Sequence, residues 1–239
     1  MATVDEFRPV SKSDFGRRPL NLLYGLIGAF LWGAIPWSWL IARLWGVEDL
    51  REVGSKNVGA TNVLRTCGKL PGVLAYLADG AKGFTAVWFL PRLLPVGFLT
   101  DELFVLHGAA LMLAVMLGHI FTPFLGFRGG KGAMAGVAGA IALAPWIGLT
   151  TVVVFIVVLI LTRIVSVSTI SSALAYPVVI AAFALFDGRA PNWYFLGFGV
   201  LVAVLVVTMH RDNIRRLRRG EERPPLTGDA TTPGDENAD

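Results

Sequence analysis

The chain has 239 residues, 54% hydrophobic and only 16% charged, with a formal net charge of +4 and a mean hydropathy of +0.63. A soluble domain carries about 25% charge; here the apolar residues gather in blocks long enough to cross a bilayer, so a polytopic all-α membrane protein is expected. The single cysteine, Cys67, excludes an internal disulfide, and the basic residues do not interleave with aromatics on a polar surface, which argues against a nucleic-acid partner.

In chain order, residues 1–20 form a polar tail of mixed charge. The first apolar run follows without a small-x-small cleavage pattern, so it is read as a retained span. Apolar runs at 22–45, 72–90, 103–121, 131–144, 147–163, 168–186 and 192–209 predict helices. Residues 21–222 make one membrane domain. Residues 223–239, rich in Gly, Pro, Thr and acid, are expected to be disordered. The stretch 131–163 would be about 48 Å long as one helix, against a hydrocarbon core of about 30 Å. One long tilted helix there would put residues 210–217 on the face opposite the other polar stretches described next; a hairpin broken near Pro145 gives seven transmembrane helices and brings all three to one face, as a single site requires, and is preferred. Arg51, Lys56, Arg65, Lys69, Arg128, Lys131, Arg163 and the C-terminal arginines then lie on that face, against Arg92 and Arg189 on the other. This bias makes the motif face cytoplasmic. Arg8, Lys12, Arg17 and Arg18 of the N-terminal tail run against it, and the larger total decides.

Three polar stretches interrupt the apolar pattern. The first is Gly54-Ser55-Lys56-Asn57-Val58-Gly59-Ala60-Thr61-Asn62-Val63-Leu64-Arg65. Ser55, Asn57, Thr61 and Asn62 offer hydrogen bonds, the glycines permit turns and close backbone approach, and Arg65 can clamp a phosphate with paired donors. A helix-capping loop with Arg65 reaching to headgroups would use the same residues; the density of amides and hydroxyls without acid favours an anion site. The second runs from Gly118-His119 to Arg128-Gly129-Gly130-Lys131-Gly132. Glycines opening an apolar helix suggest a nest of backbone N–H groups for an anion, aided by the helix dipole. It is not a Walker A loop: Leu125 stands where its first glycine should, and Gly132 where Ser or Thr should follow the lysine. His119, alone at the end of an apolar run, is of a kind that is more often interfacial than catalytic. The third is His210-Arg211-Asp212-Asn213-Ile214-Arg215-Arg216-Leu217. Its arginines fit a polybasic segment at anionic lipid, which gives no reason for His210 and Asn213, three apart on one helix face. Asp79 and Lys82, also three apart, lie within the second run; they neutralise each other, or Lys82 reaches an anion.

In order, these motifs resemble those of the bacterial acyl-phosphate:glycerol-3-phosphate acyltransferase family, the PlsY type. Ser55-Lys56-Asn57-Val58-Gly59-Ala60-Thr61-Asn62 with Arg65 matches its Ser-Gly-Asn-x-Gly-Ala-Thr-Asn followed by Arg. Gly118-His119-Ile120-Phe121 and Phe127-Arg128-Gly129-Gly130-Lys131-Gly132 match its second motif, and His210-Arg211-Asp212-Asn213-Ile214 with Arg216-Leu217 and Gly220-Glu221-Glu222 its third. The likeness covers roughly residues 22–222. Lys56 replaces a glycine, Arg128 replaces a lysine, Thr122 displaces the proline to Pro123, Ala133-Met134-Ala135 departs from the usual segment, and the N-terminal tail is longer than usual.

The resemblance implies a multi-pass protein of the bacterial cytoplasmic (inner) membrane. It implies transfer of a fatty acyl group from acyl phosphate to the sn-1 hydroxyl of glycerol 3-phosphate, giving 1-acylglycerol 3-phosphate and phosphate for phospholipid biosynthesis. His210, Asn213, Ser55, Arg65 and Lys131 would be catalytic. Asn57, Gly59, Thr61, Asn62, Lys82, His119, Arg128, Gly129, Gly130, Gly132 and Arg211 would bind the phosphates. No metal, cofactor or obligate protein partner is implied. His210 or the substrate's own phosphate would accept the proton. An acyltransferase of the His-x4-Asp type is disfavoured, because Met112, Phe124 and Arg215 stand five after His107, His119 and His210. A transporter of phosphate or organic phosphates, and an inactive lipid-phosphate binder, are the other readings.

Overall fold

The computed structural model describes residues 18–94, 101–188 and 190–222. The expected tails lie outside the described residues, except for positions 18–20. Every regular element among the described residues is helical: α1 (Arg18–Ala34), α2 (Trp37–Leu44), α3 (Ala60–Thr66), α4 (Lys69–Leu93), α5 (Asp101–Ile120), α6 (Ala133–Leu143), α7 (Pro145–Thr162), α8 (Val165–Phe186), α9 (Trp193–Met209) and α10 (Arg211–Arg218), with a 3-10 turn at Pro123–Leu125.

All seven apolar runs form helices, and two prolines set the breaks. Pro36 divides the first run into α1 and α2, because proline lacks an N–H and disfavours helical geometry in the residue before it. Ala144 leaves the helical region, with φ −143° and ψ 85°, and Pro145 opens α7. Its missing N–H is no loss in a first turn. The break expected at Pro145 is therefore present.

By length and composition, Leu20–Leu44, Leu103–Leu125, Pro145–Thr162 and Val165–Phe186 can each cross a bilayer; α9 with α10, bent by 58°, makes a fifth candidate. α4 has 25 residues but carries buried Asp79 and Lys82. The 11 residues of α6 cover only about 16 Å. Length and composition alone thus do not establish seven crossings.

The helices meet backbone to backbone. A methyl group at Gly33 would overlap the Val115 backbone, one at Gly118 the Phe30 carbonyl oxygen, one at Gly83 the Ala135 carbonyl oxygen, and one at Gly72 the backbone of Leu64. These contacts fix α1 on α5, α4 on α6 and α3 on α4. Buried Leu111, Met112, Val115 and Met116 of α5 fill the centre. Val153, Ile156, Val157, Ile160 and Leu161 leave one face of α7 exposed and apolar, as a lipid-facing surface requires.

Gly83→Ala should lower the thermal unfolding midpoint in detergent, in line with about 1–3 kcal/mol of overpacking. Gly197→Ala is the control: in helix α9, an added methyl there has nothing within 4 Å. Equal midpoints for the two variants would show that close backbone approach does not limit the packing.

Candidate active site

The three polar stretches meet at one end of the bundle. The first wraps into α3. Asn62 is its brace: Oδ1 accepts the Ser55 N–H at 2.8 Å, and Nδ2 donates to the carbonyls of Leu50 at 3.0 Å and Val53 at 3.1 Å. Asn62 is buried and shapes the loop without facing the cavity. Ser55, Asn57, Gly59, Thr61 and Arg65 do line it, and the Thr61 hydroxyl lies 2.6 Å from that of Tyr76. Lys56 is exposed with φ 57°, in the left-handed region that a glycine would adopt more easily. It neither crowds the cavity nor lines it.

The second stretch folds back on the end of α5. Thr122 Oγ1 donates to the Ala34 carbonyl at 2.6 Å. The Gly129 N–H donates to Ile120 O and the Gly130 N–H to His119 O. The nest expected at Gly129-Gly130 is therefore not formed, because both donors are already used. These glycines are needed for closeness: a methyl at Gly129 would overlap His119 O, and one at Gly130 would overlap the His119 ring and Val58 O. The latter contact joins the second stretch to the first. Lys131 follows, then Gly132 with φ 74°, and the first turn of α6 faces the cavity through Ala133 and Met134.

The third stretch bends at His210 between α9 and α10. Lys131 Nζ donates to Asn213 Oδ1, joining it to the second. Asn213 Nδ2 donates to Glu222 Oε1 at 2.5 Å. That carboxylate also accepts from Ser166 Oγ at 2.8 Å and Arg216 Nε at 2.6 Å. Burial pushes the Glu222 carboxyl up, but Arg216, Asn213 and Ser166 together hold it below the ordinary range. Burial first, and then repulsion from Arg216, lower Lys131 to about 8, which leaves it an ammonium at neutral pH. His210 is buried but does not line the cavity; its Nδ1 lies 2.7 Å from Val206 O.

Beneath the rim lies a fully buried charge cluster. Asp79 Oδ2 accepts from Ser38 Oγ at 2.6 Å, Lys82 Nζ lies 3.0 Å from Asp79 Oδ1, and it donates to Ile35 O at 3.1 Å. Lys82 is thus held by Asp79 and a carbonyl and does not line the cavity. Asp79 and His119 do, with His119 Nδ1 3.6 Å from Asp79 Oδ1. Among the described residues, no group of three or more His, Cys, Asp or Glu side chains could hold a metal ion.

The cavity measures about 640 Å³. Its rim is polar, with Ser55, Arg65, Lys131, Asn213 and Glu222, and its depth is apolar between α5, α6, α7, α8 and α9. Of the residues expected to bind or react, Asn62, Lys82, Arg128, Gly129, Gly130, His210 and Arg211 do not line it, and Arg128 and Arg211 are exposed. Glu222 is noted in the sequence only as the end of the third motif and given no role; Tyr76 and Ser166 were missed, and nothing local marks them.

A family model described as "Glycerol-3-phosphate acyltransferase" matches residues 23–220. The glycerol-3-phosphate acyltransferase of Geotalea daltonii is 39% identical over 197 residues, 82% of this chain and 94% of that protein. That of Geobacter sulfurreducens is 39% identical over 203 residues, 85% and 97%. Crystal structures of PlsY, an integral membrane glycerol 3-phosphate acyltransferase, are also similar. The glycerol 3-phosphate form has a TM-score of 0.73 at 33% identity, covering 85% of this chain and 94% of that one. The lysophosphatidic acid form has a TM-score of 0.71 at 30% identity, with the same coverage.

Binding of inorganic phosphate, followed by calorimetry, should be weakened roughly 10- to 150-fold by Lys131→Ala at neutral pH, the usual loss of a charge-assisted contact. Relative to Lys131→Arg, which does not titrate in this range, the native protein should lose affinity as pH rises through about 8, where the ammonium gives up its proton. Parallel pH curves for the two proteins would count against Lys131 as the anion's partner.

Proposed function

The chain belongs to the glycerol-3-phosphate acyltransferase family, and from this we propose that it takes its acyl group from an acyl phosphate at the cytoplasmic face of a bacterial inner membrane. It is an all-helical integral membrane acyltransferase acting on glycerol 3-phosphate, in phospholipid biosynthesis. The transporter alternative is dropped, since the relatives and the solved neighbours are acyltransferases.

The observation that carries the donor assignment is the joining of a cationic, amide-rich rim to an apolar depth in one cavity. An acyl phosphate has the same two halves. In the proposed step, the C1 hydroxyl oxygen of glycerol 3-phosphate attacks the acyl carbonyl carbon. The bond from that carbon to the phosphate oxygen breaks, and orthophosphate leaves with the electron pair. The product is 1-acylglycerol 3-phosphate. Arg65 and Lys131 neutralise the phosphates, and the first turn of α6 adds its dipole. Ser55, Asn57 and Asn213 orient the reactants, so that positioning and fixed charge supply the rate. The hydroxyl proton goes to a substrate phosphate oxygen. This is preferred to His210, whose Nδ1 faces Val206 O and whose ring does not line the cavity. Asn62, Gly129 and Gly130 act by shaping the loops. Arg128 and Arg211 lie at the surface, where anionic lipid headgroups would meet them. The reading requires no protein partner.

Purified protein supplied with glycerol 3-phosphate should form acylglycerol phosphate from acyl phosphate and not from acyl-CoA or an acylated acyl carrier protein. Turnover with either thioester at a comparable rate would overturn the donor assignment. Orientation has its own test: with Cys67→Ser as background, Lys69→Cys and Glu221→Cys, both at exposed positions, should resist an impermeant thiol reagent in intact cells and react after permeabilisation. Labelling in intact cells would place the rim outside.

A further inference from the structure

The cavity does not stop at the rim. It continues inward between five helices and ends among Met112 of α5, Ala140 of α6, Gly148 of α7, Tyr176 of α8 and Val202 of α9. Ser166 at the rim and Tyr176 at the deep end lie on the same helix, both lining the cavity. At 1.5 Å per residue, the stretch between them carries the cavity about 15 Å inward. That is half of a hydrocarbon core of about 30 Å, the depth one leaflet's acyl chains occupy. A fatty chain whose activated carboxyl sits at the rim would bring its tip to this end.

The deep residues differ in what they do to such a tip. Ala140 is small and leaves room, while Gly148 packs against the Ile141 backbone. Met112 is unbranched and adapts its shape. Tyr176 is large and stiff, 3% exposed, and its ring stands edge-on to Phe195, with centroids 6.4 Å apart and planes at 87°. Its buried hydroxyl has no hydrogen-bond partner among the described residues, so ring packing, not a polar tether, holds it there. We propose that Tyr176 is the stop of the acyl channel and sets the longest chain this enzyme accepts. The proposal rests on the acyltransferase reading and adds to it a determinant of substrate length.

Up to the stop, each methylene should tighten binding through close packing, by less than the roughly fourfold gain of transfer from water, because the tail leaves an equally apolar micelle. Beyond it, further methylenes gain nothing or force the ring off its rotamer. The test uses monoalkyl phosphates from decyl to eicosyl, which bind without turnover, in one detergent, with acyl phosphates of the same lengths assayed in parallel. Affinity should climb with length and then break. Tyr176→Phe keeps the ring and should keep the break. Tyr176→Leu should move it to longer chains. Ala173→Leu, which adds bulk to a cavity-lining position nearer the rim, should move it to shorter ones. A break unmoved by Tyr176→Leu, or moved by Tyr176→Phe, would overturn the proposal, as would failure of every alkyl phosphate to bind. Should Tyr176→Leu not fold, Tyr176→Phe and Ala173→Leu still decide. Shifts in binding without any acyl transfer would keep the stop and discard the acyl-phosphate reading.

Discussion

Helices in lipid gain nothing by hiding apolar surface from water, since the tails around them are equally apolar; they associate through close packing and the hydrogen bonds it permits. Here closeness comes from glycines that let one backbone touch another. Gly33 lies on Val115, Gly118 on Phe30, Gly83 on Ala135 and Gly72 on Leu64. Residues that line the cavity stand beside these contacts: His119 follows Gly118, and Arg65 follows Leu64. The geometry of the site is therefore inherited from distances between helix backbones, and a single added methyl would be felt several residues away.

On that frame, the rim pairs its charges unevenly. Glu222 takes its cation from Arg216 and its other donors from Asn213 and Ser166. Lys131 is left hydrogen-bonded to a neutral amide. Its positive charge is thus held by a neutral partner, the state that the proposed phosphate binding requires. Deeper in, the opposite holds: Asp79 and Lys82 are ion-paired at 3.0 Å, and Lys82 also donates to Ile35 O, so the two charges offset each other beneath the rim.

Much of this was legible in the sequence. The length of residues 131–163 left a choice between one long tilted helix and a hairpin at Pro145, and the condition that three anion-friendly stretches share a face selected the hairpin, which the structure has as the α6–α7 break. What failed had a common cause: sequence names a donor but not the acceptor already using it. Gly129 and Gly130 read as a free anion nest, yet their N–H groups belong to Ile120 and His119 carbonyls. Asn62 read as a ligand group, and its side chain is spent on the loop before it. Lys82 read as an anion's partner and is paired within its own helix. The arginines at 128 and 211 matched a motif, but nothing local says which way a side chain turns at a bilayer surface. The apolar extension of the cavity was not legible at all, because it is the gap between five helices that are each merely hydrophobic.

The Asp79–Lys82 pair also bears on how the chain enters the membrane. A charged residue near the middle of a helix costs about 2.5–3.5 kcal/mol to insert alone, and α4 carries two. Two groups that hydrogen-bond to them, Ser38 and the Ile35 carbonyl, lie in the segment made before it. That earlier segment is apolar enough to partition unaided. Synthesis from the N-terminus thus lays down the solvating partner first, and α4 leaves the insertion machinery as a guest of helices already in lipid. Order of translation becomes part of how the fold tolerates its own charges.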